Sequence, residues 1–223
     1  MKIVVISGSS SGLGKELAKQ LNKLGYFIVG IGRDELKLKE TSKDLDDNYK
    51  YFAGDISDEA FVNSTIDEIY EMGPVHSIIN NASIGVFKAP KDINLEDIEL
   101  SEKGTKGMML LSAAALRKSE DIRIINILST ASNKGKAMES AYCMSKFAQK
   151  GYTESLKAYY ENGPAQVSGV YLGGMNTHLY DNSRDYISEE KQKSFMDPAD
   201  IGRRIVEQYF VKGEFCDIEI KRH

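Results

Sequence analysis

The stretch from Ser129 to Lys146 holds a hydroxyl, a phenol and an ammonium, on Ser129, Tyr142 and Lys146. Tyr142 and Lys146 are four residues apart, so on a helix they share one face. A fixed positive charge favours the ionised form of a neighbouring phenol, which makes Tyr142 a candidate proton donor or acceptor near neutral pH. A hydroxyl and a phenol can also donate hydrogen bonds to an oxygen on which negative charge develops. The pair alone is a weak signal in a chain with 12 tyrosines and many lysines. Its weight depends on the elements that would position it.

Those elements read as strand and helix in alternation. β-branched and apolar runs predict strands over 3–6, 26–31, 49–53, 75–79, 122–128, 166–172 and 216–220. Leu13, Leu17, Leu21 and Leu24 recur at helical spacing up to Gly25. A charged segment over 33–46 reads as a helix with Leu36 and Leu45 turned inward. A cap at Ser57 or Asp58 opens a helix with Phe61, Thr65, Ile66 and Ile69 on one face. Longer helices follow over 95–118 and 141–161, and a last one starts at Pro198 and carries Ile201, Ile205 and Tyr209. This order predicts an α/β fold, one doubly wound parallel sheet of about seven strands with helices on both faces, in a single domain over 1–223. Ser129 then falls at the carboxyl end of the fifth strand, where such a sheet presents groups to a ligand.

Composition narrows the classes. Hydrophobic residues make up 41% and charged residues 28%, with a net charge of −4. That balance argues against a polyanion-binding face, so no nucleic-acid partner is expected. Cys143 and Cys216 have no metal-ligand spacing and make no disulfide framework, which suits a reduced, cytoplasmic setting. His76, His178 and His223 show no spacing to acids or cysteines that suggests a metal. The N-terminus lacks the length and cleavage site of a signal peptide, and no stretch approaches the roughly 20 apolar residues that span a bilayer.

A second motif, Gly8-x-x-x-Gly12-x-Gly14, follows the first strand and opens the first helix, the context of a dinucleotide site. Gly8 allows the tight turn, Gly12 lets backbone approach a pyrophosphate, and Gly14 brings helix close to sheet. The helix N-terminus faces the phosphates. Ser9, Ser11 and Leu13 complete this turn as expected cofactor contacts. At the end of the second strand stands Gly32-Arg33-Asp34. A guanidinium suits a ribose 2′-phosphate, so Arg33 favours NADP, while Asp34 keeps NAD open.

Together these residues resemble the short-chain dehydrogenase/reductase family over nearly the whole chain. The resemblance is carried by the turn from Ser7 to Gly14, by Asp55 with Ile56, by Asn80-Asn81-Ala82, by Ser129, Tyr142 and Lys146, and by Gly174 with Thr177. It implies that Tyr142 is the general acid/base, that Lys146 lowers its pKa and holds the nicotinamide ribose, and that Ser129 binds the substrate oxygen. It further implies that Asp55 lies near the adenine, that Asn80 lines the adenine-ribose pocket, and that Thr177 positions the carboxamide. The function implied is NADP-dependent reduction of a ketone, aldehyde or diketone, in a homodimer or homotetramer packed through the two long helices.

Three positions depart from the family pattern: Ser83 after Asn-Asn-Ala, Gly173 before Gly174, and Gly104. The family carries a catalytic Asn at the position that Gly104 matches, which orders a water behind the lysine. Its absence keeps open a rival function, a nucleotide-binding or redox-sensing module with weak catalysis. The polar segment over 178–196, with Leu179, Tyr180, Tyr186 and Phe195, reads as part of a substrate lid and suggests a modest apolar or aromatic carbonyl.

Overall fold

The computed structural model describes residues 2–183 and 193–221. The elements run β1 (Ile3–Ser7), α1 (Gly12–Lys23), β2 (Phe27–Gly32), α2 (Glu35–Ser42), β3 (Tyr49–Ala53), α3 (Glu59–Met72), β4 (Val75–Asn80), α4 (Leu95–Lys118), β5 (Arg123–Ser129), α5 (Ser140–Tyr159), β6 (Gln166–Leu172), α6 (Pro198–Val206) and β7 (Ile218–Ile220). The seven strands pair in parallel in the order β3-β2-β1-β4-β5-β6-β7. The order reverses between β1 and β4. At that point the loops leaving the two strands part, and a crevice opens at the carboxyl ends of the strands.

Both faces of the sheet are buried, which is why the strands are apolar runs and do not alternate with polar residues. Val4 and Ile6 of β1 face one core with Leu17 and Leu21 of α1 and Ile205 of α6. Ile3 and Val5 face the other, with Ile66 and Ile69 of α3 and Leu111 and Ala115 of α4. The period-2 alternation of a strand thus splits one hydrophobic run between two helix layers.

Two sequence expectations change in detail. In α2 the buried leucine is Leu38, whereas Leu36 is 80% exposed. Asp34 caps this helix by accepting from the Lys37 amide at 3.0 Å. That cap sets the helix phase so that Leu38 and Thr41 face the sheet and Leu36 points away. Leu45 does pack against the core. At the far edge only Ile218–Ile220 pairs as a strand. Cys216 and Asp217 are taken by other partners. The Cys216 carbonyl accepts from Ser168 and Tyr209 at 2.6 and 2.8 Å, and the Asp217 carboxylate accepts from the Gly169 amide at 2.8 Å.

The loop from β1 to α1 shows why glycine is needed there. Gly8 has φ +71°, a conformation that side chains resist. A Cβ on Gly14 would stand 2.1 Å from the Gly8 carbonyl oxygen and 2.6 Å from Asn81 Nδ2. No rotamer relieves a backbone clash of that size. Gly14→Ala should therefore lower stability by about 2–3 kcal/mol, a fall in Tm of roughly 5–10 °C. Thermal unfolding checks this, and an unchanged Tm would refute the close packing.

Candidate active site

A cavity of about 560 Å³ lies in the crevice, within the usual size range of small-molecule sites. Its walls come from the carboxyl ends of β1, β2, β4, β5 and β6, from the first turn of α1, and from α4 and α5. Ser129, Tyr142 and Lys146 all line it. So do Ser11, Gly12, Leu13, Arg33, Asp55, Ile56, Asn81, Ala82, Gly174 and Thr177, together with Gly8. Residues from Gly8 to Thr177 meet here because parallel strands all deliver their carboxyl ends to one edge.

Ser9, Gly14 and Asn80, expected at the cofactor, do not line the cavity; they support it from behind. Ser9 is fully buried. Gly14 packs on the Gly8 turn, as described above. Asn80 is 2% exposed and donates to Ser112 Oγ at 2.9 Å and to Asn126 Oδ1 at 2.8 Å. Asn126 in turn donates to Thr153 Oγ1 at 2.9 Å. This buried polar chain ties β4 and β5 to α4 and α5. The adjacent Asn81 does face the cavity, and its side-chain amide donates to the carbonyls of Ser7 and Gly8 at 3.1 Å. It clasps the end of β4 to the glycine turn.

Tyr142 and Lys146 sit on the first two turns of α5, held against α4 by Ser101 Oγ donating to the Ala141 carbonyl at 2.7 Å. Lys146 Nζ lies 5.7 Å from the Tyr142 ring centroid. It is 3% exposed and donates to the Ile127 carbonyl at 3.2 Å and to Gln149 Oε1 at 2.8 Å. Burial pulls the ammonium down to about 7. Burial also pushes the Tyr142 phenol well above its ordinary range, with Tyr180 adding to the rise and a hydrogen bond from Ser129 opposing it. The phenol is thus raised, contrary to the lowering by Lys146 that the spacing predicts. Two groups removed from water both favour their neutral forms. Ser129 Oγ meanwhile accepts from the Ala131 amide at 3.1 Å, which fixes its rotamer at the end of β5.

Asp55 has a partner that sequence spacing did not signal. Partial burial alone would raise its carboxyl, but the Ser57 amide and hydroxyl and Lys103 Nζ hold it down at about 2. Lys103 reaches it from α4 at 3.1 Å and also lines the cavity. Beside Tyr142 stands an aromatic wall. Phe87 lies 5.2 Å from the Tyr142 ring and 4.9 Å from Tyr180, and Tyr180 lies 5.0 Å from Phe195. Leu179, Tyr180 and Phe195, from the segment expected to form a lid, line the cavity, while Tyr186 lies outside the described residues. Cys143 and Cys216 are both free thiols. Among the described residues no cluster of metal-binding side chains occurs, and no helix is long and apolar enough to cross a membrane.

The fold and this cavity define a doubly wound α/β protein with a crevice at the carboxyl ends of its strands, and comparison with known proteins places it in a family. The family described as short chain dehydrogenase matches residues 2–187, and the chain belongs to that family of oxidoreductases. Sepiapterin reductase of Chlorobaculum tepidum is 27% identical over 93% of this chain and 89% of its own length. An uncharacterized oxidoreductase of Bacillus subtilis is 26% identical over 85% of this chain, which spans 56% of that relative's length. Among solved structures, a short-chain dehydrogenase/reductase from Vibrio parahaemolyticus superposes with a TM-score of 0.84 at 27% identity, over 99% of this chain and 100% of that one. The closed form of a serine dehydrogenase complexed with NADP+ superposes at 0.87 with 19% identity, over 98% and 94%, a likeness of fold.

Proposed function

We propose that this protein reduces a carbonyl group of a small molecule to an alcohol with NADPH as the hydride source. Support comes from one convergence: Ser129, Tyr142 and Lys146 share a cavity with the glycine turn and the open N-terminus of α1. The residues fit a dinucleotide. Ser11, at the N-cap of α1, makes no side-chain capping bond, so the first-turn N–H groups remain for a pyrophosphate. Gly8 and Gly12 both have positive φ and line the cavity there. The serine dehydrogenase with NADP+ bound has the same fold.

When bound, the nicotinamide would supply hydride to the carbonyl carbon. Tyr142 would give its phenolic proton to the carbonyl oxygen while Ser129 hydrogen-bonds the same atom. Lys146 would offer the nicotinamide ribose the one N–H that Ile127 and Gln149 do not take. Asp55 would lie near the adenine and Thr177 near the carboxamide. The raised phenol pKa keeps the proton on Tyr142 at neutral pH, which is the form that reduction consumes. The aromatic wall of Phe87, Tyr180 and Phe195 suits an apolar or aromatic carbonyl. The chain would act as one domain, in the cytoplasm. A homodimer or homotetramer would form through α4 and α5, where Met109, Met144 and Phe147 are exposed.

The NADP preference rests on Arg33. It lines the cavity, whereas the carboxylate of Asp34 is engaged in capping α2 and lies 3.6 Å from Lys37 Nζ. Arg33→Ala should raise the Kd for NADPH by about 10–100-fold, the worth of a charge-assisted hydrogen bond, and leave that for NADH within about threefold. Fluorescence titration with each cofactor measures both. Equal Kd values before and after substitution would remove the basis for NADP. The function itself is tested by following NADPH oxidation with a panel of ketones, aldehydes and diketones. Turnover supports the reductase; tight NADPH binding without turnover on any of them supports a nucleotide-binding module.

A further inference from the structure

Lys146 is buried to 3% exposure, and a buried ammonium is costly unless its N–H groups are matched by acceptors. One acceptor is a backbone carbonyl, Ile127 O at 3.2 Å. The other is Gln149 Oε1 at 2.8 Å. Gln149 lies three residues after Lys146 on α5 and is 1% exposed. Its far end points to α4. Nε2 lies 3.4 Å from the place where a Cβ on Gly104 would stand, and the Ala82 carbonyl oxygen is 3.5 Å from the same point. The amide therefore occupies the space above Gly104, between α5 and the chain leaving β4.

Its neighbours hold this geometry. Ser101 and Thr105, on either side of Gly104, donate to the carbonyls of Ala141 and Ser145 at 2.7 and 3.2 Å and lock α4 to α5. The Gln149 carbonyl accepts from Thr153 Oγ1 at 2.8 Å, and Thr153 receives the bond from Asn126 in the buried chain below the cavity. Lys146 and Gly104 both line the cavity, and the amide spans them. A side chain longer than methyl at position 104 would contend with Gln149 for this volume, since a Cβ there already touches Nε2. Gly104 and Gln149 are thus matched: one helix gives up a side chain, and the facing helix fills the gap with an amide.

From this we infer that Gln149 is the positioning residue of the proton-transfer site: its amide holds the Lys146 ammonium on target and supplies the polar group missing at Gly104. The inference rests on the carbonyl-reductase function proposed above. Ionisable groups that line the same cavity as Lys146 include Tyr142 on its own helix, Glu139 and Lys136 just before α5, Lys103 on α4, and Asp55 and Arg33 at the ends of β3 and β2. Of the two acceptors that Nζ contacts, Gln149 Oε1 alone belongs to a side chain, so substitution can remove it.

The test has two arms, made on Gln149→Ala, on the volume-preserving Gln149→Met, on Gly104→Asn and on the double variant G104N/Q149A. The first follows the titration of Lys146 by NMR of Cε-labelled lysine in protein without cofactor, with Lys146→Arg identifying the signal; it requires no turnover. Losing an acceptor destabilises the ammonium, so the Lys146 midpoint should fall by about one pH unit in both Gln149 variants. The second arm measures NADPH-dependent turnover on a carbonyl that the panel identifies. Gln149→Met should lower kcat about 10–100-fold with KM for the carbonyl little changed, as expected for a group that acts on the transition state. Gly104→Asn alone should bring no gain, because Gln149 occupies the space, whereas G104N/Q149A should recover kcat to within about threefold of wild type.

An unchanged Lys146 midpoint in a folded Gln149→Met protein overturns the inference, as does a loss of kcat that Asn at 104 does not restore. Failure of the reductase function looks different. The wild type would then bind NADPH and turn over none of the carbonyls in the panel, and the NMR arm would still decide whether Gln149 holds Lys146.

Discussion

Tyr142→Phe should lower carbonyl reduction by about 10²–10⁴-fold, the usual worth of a positioned general acid, while NADPH still binds. The substitution removes one hydroxyl and keeps the ring. That ring is 6% exposed and packs with Phe87, Ala131 and Cys143, so the fold and the aromatic wall should survive. What is lost is the proton that faces the substrate oxygen beside Ser129. The raised pKa sharpens the expectation. At neutral pH wild-type Tyr142 is fully protonated, so reduction should show no fall in rate from phenol ionisation below pH 9. The measurement is kcat from NADPH oxidation beside the NADPH Kd and Tm. Retention of more than a third of wild-type kcat, with binding intact, would take Tyr142 out of the chemistry.

Lys146→Met should reduce turnover on the order of 100-fold or more, since both the charge and the donor to the ribose are lost. Its effect on stability has a sign that separates it from ordinary core damage. In the folded protein burial draws Lys146 down to about 7, from an ordinary value of 10.5. Between those two pH values the unfolded chain binds the extra proton, so stability from this group rises with pH. Below pH 7 the cost of burying the ammonium is fully present; towards pH 10.5 it disappears. Methionine has no such cost. Urea unfolding at pH 6.5 and pH 9 should show the wild type gaining stability relative to Lys146→Met as pH rises. Parallel curves for the two proteins would mean that Lys146 titrates normally.

Much of the fold is legible because its signals are local. β1, β2, β4 and β5 are apolar runs because a parallel sheet covered by helices leaves no polar face. The leucines of α1 recur at helical spacing because one side meets the sheet. The glycine turn is legible for the same reason: Gly8 answers to a backbone angle, and Gly14 to a carbonyl only a few residues away. Leu36 points outward, against its reading from spacing, because a helix face depends on where the helix starts. The Asp34 cap sets that start, and spacing within a short charged segment did not reveal it.

Ser129, Tyr142 and Lys146 reach one cavity as spacing predicted, because a strand end followed by a helix puts them there by local geometry. Motif position places Ser9 and Asn80 at the cofactor, yet their side chains turn into the interior. A motif specifies where the backbone runs and leaves open which way each side chain faces. Lys103 at Asp55 is 48 residues away along the chain, and only the packing of α4 against the end of β3 makes them neighbours.

The stretch from Ser129 to Lys146 shows the same division. Sequence by itself determined that a hydroxyl, a phenol and an ammonium would share one end of a parallel sheet, because strand and helix periods are properties of consecutive residues. Tertiary structure decided their protonation, since burial raises the Tyr142 phenol and lowers the Lys146 ammonium, each towards its neutral form. It also decided what fills the gap at Gly104. Sequence could show the missing side chain, but only the approach of α5 to α4 puts the Gln149 amide there, because desolvation and contact both depend on residues far apart along the chain.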